Sequence, residues 1–146
     1  MTFDGEKNAW RAESALRMMR ARQLLGLQYV ATLRCDSTGQ VEMSWRGNLP
    51  VNLKDQRLLF LCQLVNAFFG TDLEQAEQLV EAGLDRHLAE QLQAALSPGD
   101  SGLVIYIPPE SLAEASRLST VLSLFEGRLY HASFPEEVEK ALLARL

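Results

Sequence analysis

The chain has little with which to do chemistry. It carries two cysteines, Cys35 and Cys62, and two histidines, His87 and His131. The cysteines fall in different predicted elements, Cys35 in a strand and Cys62 on an apolar helix face. Neither shares a ligand spacing with a histidine, so no zinc or iron is expected. Both thiols are expected to sit reduced in the interior, where free cysteine behaves as a small hydrophobe. No G-x-x-x-x-G-K or G-x-G-x-x-G occurs to cradle a phosphate, and no G-x-S-x-G to raise a nucleophilic serine. Excess positive charge is also missing: the net charge of −5 argues against non-specific binding to nucleic acid or to an anionic membrane surface. The longest apolar stretch, Leu58 to Phe69, is broken by Gln63 and Asn66 and falls short of the roughly 20 residues of a membrane span. The first residues, Met1 to Glu6, hold no apolar core of a signal peptide. No cofactor is expected, and a cytoplasmic location is.

At 146 residues the length is that of one domain with a core large enough to need no staple. The 47% apolar and 23% charged content is ordinary for a globular protein. The clearest pattern lies in the C-terminal half. Asp85 opens a helix that ends at Ser97-Pro98-Gly99-Asp100. The run Leu103 to Ile107 reads as a strand and is closed by Pro108-Pro109. A helix follows Ser111, whose S-x-x-E spacing to Glu114 is a capping box. Arg128 to Ala132 reads as a short strand, and a last helix starts at Pro135, a residue suited to a first helical turn.

The N-terminal half reads as a helix over 8–25, with Ala12, Ala15, Leu16 and Met19 on one face, followed by a hairpin. Tyr29, Ala31, Leu33 and Cys35 alternate with Gln28, Thr32 and Arg34 on its first strand, Val30 breaking the pattern, and Val41, Met43 and Trp45 alternate with polar residues on its second, so each strand has one apolar and one wetter face. The linking Asp36-Ser37-Thr38-Gly39 is a turn sequence. Helices are expected to cover one side of the resulting sheet. Lys7, Arg11, Arg17, Arg20 and Arg22 make the first helix basic, but spread around it, and a solvated face is expected rather than a nucleic-acid surface. Leu53 to Phe69 predicts a helix that is apolar nearly all round. Such a helix is buried on more than one side, which leads to the expectation that Leu59, Phe60, Leu64 and Phe68 meet another subunit. Thr71 and Glu74 form a further capping box, and Gly83 a helix stop. The carboxylates Asp72, Glu74, Glu77, Glu81, Asp85 and Glu90 lack the loop spacing of a calcium site and read as surface charge.

The segments therefore divide as a helix-hairpin over 8–46, a helical insertion at 53–82 and a helix-strand-helix-strand-helix run over 85–146. One candidate ligand site is visible. In Ser97, Gly99, Asp100, Ser101 and Gly102, amides freed by two glycines could hold an anion; the competing reading is a plain turn from helix to strand. A Cys35–His131 nucleophile and base pair is the remaining enzymatic option, though neither residue has a helix N-terminus or cation beside it to lower the thiol pKa.

The stretch Leu79-Val80-Glu81-Ala82-Gly83-Leu84-Asp85, then Leu88, Leu92, Ala95-Leu96 and Pro98-Gly99-Asp100-Ser101-Gly102-Leu103-Val104, resembles an uncharacterised bacterial family known only as a domain of unknown function, many of whose members are described as membrane proteins. Glu126 to Phe134 is similar to that family's closing strand, and Phe3-Asp4-Gly5 and the hairpin to its N-terminal half. The resemblance implies a ferredoxin-like α+β layout of about four strands and brings no established activity or catalytic residue. The chain departs from the family in its middle, where amphipathic helices stand in place of a long Gly/Ala-rich apolar segment. It also departs at the start, where only Met1 to Phe3 remain of the first strand. Because that strand fills a central slot, three outcomes are open. The strands at 103–107 and 128–132 could pair directly as a parallel β-α-β unit, a strand could enter from another subunit, or the natural chain could begin further upstream. Direct pairing is the expectation.

The function expected is that of a non-enzymatic, self-associating interaction or regulatory module. Its expected partners are further copies of the chain, and in addition another protein. The alternatives are an anion or small-molecule sensor using the loop at 97–102 and, more remotely, an enzyme acting through Cys35 or His131.

Overall fold

The computed structural model describes residues 1–22, 29–44, 56–69, 73–107, 111–131, 133 and 136–144. Its elements in chain order are β1 (Thr2–Phe3), α1 (Asn8–Ala21), β2 (Tyr29–Cys35), β3 (Val41–Ser44), α2 (Gln56–Phe69), α3 (Leu73–Glu81), α4 (Arg86–Gln93), β4 (Ser101–Tyr106), α5 (Glu114–Leu122) and α6 (Glu136–Leu143). The fold is α+β, with an open four-stranded antiparallel sheet in the order β1-β4-β2-β3, a layout consistent with the ferredoxin-like one. Two compact units divide the chain: Met1–Leu49 with Ser97–Leu129, and Pro50–Leu96 with Tyr130–Leu146.

The first unit holds the sheet. β4 is central, pairing Gly102 and Ser101 with Thr2 and Phe3 on one side and running from Ser101↔Arg34 to Tyr106↔Tyr29 on the other. The predicted hairpin joins β2 to β3 from Thr32↔Ser44 to Cys35↔Val41. Its turn is set by Asp36, whose carboxylate accepts from the Thr38 amide (2.8 Å), the Thr38 hydroxyl (2.6 Å) and the Gln40 amide (3.0 Å). Gly39 takes the left-handed conformation the turn requires, at φ +86°.

The N-terminus corrects the expectation of direct pairing. Met1 and Leu103 exchange both backbone bonds, at 2.9 and 2.8 Å. Thr2 exchanges both with Arg128, at 2.9 Å each. Successive residues of an antiparallel strand present their backbone groups to opposite neighbours, so three residues suffice to lie between β4 and Arg128. The same geometry shortens the predicted strand at 128–132. β1 offers only the N–H and C=O of Thr2 on that side, so pairing is a single bridge at Arg128. Residues 129–131 form no strand, and Ala132 is outside the described residues.

The core of this unit is built on the Phe3, Leu103 and Val30 side of the sheet. Phe3 and Leu103 pack with Ala9, Ala12 and Leu16 of α1 and Leu118 and Leu122 of α5, with Val30, Ile105 and Val121 around them. Burying such a side chain stabilises by roughly 1.5–3 kcal/mol. The helices therefore cover the side expected to be wetter. Val30 and Ile105 line it, and Thr32, also buried there, bonds its hydroxyl to Ser44 through the carbonyl (3.2 Å) and Oγ (2.7 Å). On the other side Tyr29, Ala31, Leu33 and Cys35 are buried as well, with Tyr29 edge-on to Tyr106 at 5.8 Å.

The second unit is helical. α2 packs against α3, α4 and α6, burying Phe60, Leu61, Val65 and Phe68 of α2 together with Ala76, Leu79, Leu84 and Ala89. α3 ends as expected at Gly83 (φ +116°). There the Leu84 amide reaches the Leu79 carbonyl and the Gly83 amide the Val80 carbonyl, a Schellman termination with the two leucines in its usual apolar positions. Asp85 caps α4 by accepting from the Leu88 amide at 2.8 Å. The capping box expected at Ser111 does not form. α5 begins at Glu114 with Ala113 in the cap position, after a tight turn in which the Ala115 amide bonds the Leu112 carbonyl. Leu53 to Asp55, Thr71 and Pro135 lie outside the described residues.

Candidate functional site

The loop from Ser97 to Gly102 turns the chain from the end of the α4 region into β4. Its amides have partners within the first unit. Ser97 donates to the Asp100 carboxylate at 3.3 Å, Gly99 to the Cys35 carbonyl at 3.0 Å and Asp100 to the Ser97 carbonyl at 3.0 Å. Gly102 is a ladder residue of β4. The donors on which anion binding would depend are thus spent on the turn, and Gly99 is there for its φ of +86°.

Ser101 has a different job from the one its sequence context suggests. Only 1% exposed, its hydroxyl donates to the Gly5 carbonyl at 2.7 Å and accepts from the Ala9 amide at 3.0 Å. Helix α1 has Lys7 in its cap position, with no side-chain bond of its own there. Ser101 therefore satisfies one of the first-turn amides of α1 from a strand 92 positions away. No local motif could have signalled this.

The environment of both thiols raises their pKa. Burial pushes Cys35 up from its ordinary value, and the nearby Asp36, Asp100 and Glu6 carboxylates push it the same way. Burial also raises Cys62. A thiolate is the nucleophilic form, so both shifts oppose nucleophilic chemistry. His131 and His87 are exposed, and His131 belongs to the second unit while Cys35 belongs to the first. Among the described residues, no group of three or more His, Cys, Asp or Glu is placed to hold a metal ion, and no helix is long and apolar enough to cross a membrane.

Of the residues expected at a subunit contact, Phe60 is 0% and Phe68 7% exposed, while Leu59 and Leu64 are half-buried. Three helices of its own unit lie against α2, which accounts for its many-sided apolarity without a second copy. Phe60→Glu would therefore disturb folding and could not report on association.

Among the described residues, the exposed large apolar side chains lie elsewhere. Trp10 (41% exposed), Met18 (59%), Leu112, Leu124 and Leu129 all belong to the first unit. On α1 the side chains opposite Ala12 and Leu16 are Lys7, Trp10, Arg11, Ser14, Met18 and Arg22, all exposed. Lys7, Arg11, Met18 and Arg22 recur at i, i+4, i+11 and i+15, which is one row of an α-helix. Trp10, next to Arg11 in sequence, is also on the outward side and 41% exposed. A full projection of residues 7–22, rather than of the apolar face alone, would have found it. Flanking the row, Arg17 is tied to the buried Glu13 at 2.6 Å.

The second unit is the acidic one, carrying the whole net charge of −5 while the first is balanced. Glu74, Glu77 and Glu81 are exposed along one side of α3, and Asp85 and Glu90 are exposed beyond it. Glu77 pairs with Arg86 through two bonds of 3.0 and 3.1 Å; the others make no ion pair among the described residues. No protein-family model, curated protein or solved structure matches the chain.

Proposed function

We propose that the chain is a non-enzymatic interaction module that associates with further copies of itself. The observation that carries this reading is the placement of Trp10, Met18, Leu112, Leu124 and Leu129 on the surface of one unit. Large apolar and aromatic side chains left in water on a well-packed unit are the usual material of a contact surface. The reading gains further support from groups that would otherwise suggest chemistry. The Ser101 hydroxyl and the loop amides are engaged in holding the fold, and burial raises the pKa of both thiols.

The test is sedimentation velocity with native mass spectrometry over a concentration series of the full chain. Self-association gives a weight-average mass that rises with concentration. A single species of monomer mass up to high micromolar concentration would overturn the proposal. A retained small molecule in the native spectrum would move the reading to the sensor alternative.

A further inference from the structure

We infer that self-association runs head to tail, with the outward row of α1 in one copy docking on the acidic side of α3 in the next. The inference rests on the self-association reading above and names its surfaces. Two exposed features of opposite charge are present on one chain. α1 offers Lys7, Arg11 and Arg22 around Trp10 and Met18, with no ion pair to those three cations among the described residues. α3 offers Glu74 and Glu81, which fall on one side of the helix about 10 Å apart at 1.5 Å per residue. Two α1 rows cannot face each other across a two-fold axis, because like charges directly opposed repel. Two α3 rows are excluded for the same reason. The complementary arrangement is α1 against α3; a two-fold dimer would have to form both such contacts at once, whereas one contact per pair of copies is heterologous and continues from copy to copy or closes into a ring. Trp10 and Met18 supply the apolar centre of such a contact, and the charged residues its rim and register.

The experiment uses two doubly substituted full-length chains, Arg11→Gln with Arg22→Gln, and Glu74→Gln with Glu81→Gln. All four positions are exposed, and circular dichroism checks that both chains fold. Wild-type association measured by sedimentation should weaken as salt rises, since exposed pairs are screened. Each double variant alone should associate about tenfold more weakly than wild type. An equimolar mixture should recover wild-type affinity but stop at a one-to-one complex, because one intact α3 side and one intact α1 row remain. Self-association that is indifferent to both variants would overturn this inference and leave the proposed function standing. A wild type that stays monomeric would overturn both. Capture of a single-stranded oligonucleotide by α1, lost in the Arg11→Gln, Arg22→Gln chain while self-association persists, would assign the row to nucleic acid instead.

Discussion

Gly127 is the position where a single methyl group tests how the sheet is closed. A Cβ built there meets the Thr2 carbonyl oxygen at 2.6 Å, the Phe3 ring at 2.9 Å and the Met1 Cε at 3.0 Å. The two side chains can swing aside, but the carbonyl cannot, because the bridge holds Thr2 to Arg128 on both sides. Gly127→Ala has two ways out. Shifting the backbone to make room costs about 1–3 kcal/mol, as other overpacked sites do. Opening the bridge loses two backbone hydrogen bonds at about 0.5–1.5 kcal/mol each. Both routes arrive near 1–3 kcal/mol, a large share of the roughly 5–15 kcal/mol that stabilises a typical domain. Gly99→Ala is the comparator. A Cβ there meets no atom within 4 Å, and φ is +86°, so its cost is the left-handed backbone alone, about 1–2 kcal/mol. Denaturant titration should place both variants below wild type at unchanged slope. Amide exchange separates them, since protection at Thr2 and Arg128 should fall only in Gly127→Ala. If Gly127→Ala stays within about 0.5 kcal/mol of wild type with both amides protected, the close approach of β1 to residues 127–128 is wrong.

Ser101→Ala strands the buried Ala9 amide, and should cost about 1–3 kcal/mol with fraying at the start of α1; Ser101→Thr retaining more stability than Ser101→Ala would mark the hydroxyl as the cause. The Asp36 carboxyl is held below its ordinary 3.8, first by the Thr38 hydroxyl and then by the Gln40 amide. Its contribution is therefore fully present above that value and lost as pH falls through the depressed one. Carbon-detected titration should show that depression, and Thr38→Ala should relieve part of it while the Gln40 amide contribution remains. Native Cys35 should resist alkylation at neutral pH and react only after unfolding, as its burial and raised pKa require; rapid modification of the folded chain, located by mass spectrometry, would reopen the enzymatic reading.

What the sequence makes legible here is whatever is local. The hairpin was readable because Asp36 to Gly39 is self-contained turn chemistry, and the Gly83 stop because its bonds span a few residues. The side of the sheet that the helices cover was not. β2 buries Thr32 and half-buries Val30 on one side and Tyr29, Ala31, Leu33 and Cys35 on the other, so alternation on one strand cannot say which side takes α1. The slot of β1 was misjudged because strand length was counted as if one neighbour had to be paired along its whole extent, whereas Met1 and Thr2 serve different neighbours. Ser101 drew attention for its loop, while its partners Gly5 and Ala9 are distant in sequence. The apolar circumference of α2 pointed to a partner that three helices of its own unit already supply. Trp10 and Met18 lie on the side of α1 away from Ala12 and Leu16, where the apolar periodicity of the helix carries no signal.

The strand β4 joins β1 to β2, yet it is made only after α2, α3 and α4. Its contact with Met1 spans 102 positions. On the ribosome, Phe3 and the β4-facing edge of β2 must therefore wait without their sheet partner while nearly all of the second unit's helices are synthesised. Loop closure over that distance is slow relative to helix formation. Each unit is also assembled from two separated stretches of chain, so a truncation at Leu96 removes part of both, and one at Leu129 removes part of the second. Expression of either half alone should yield a chain with unpaired strands or missing helices, and aggregation is the expected fate of such fragments.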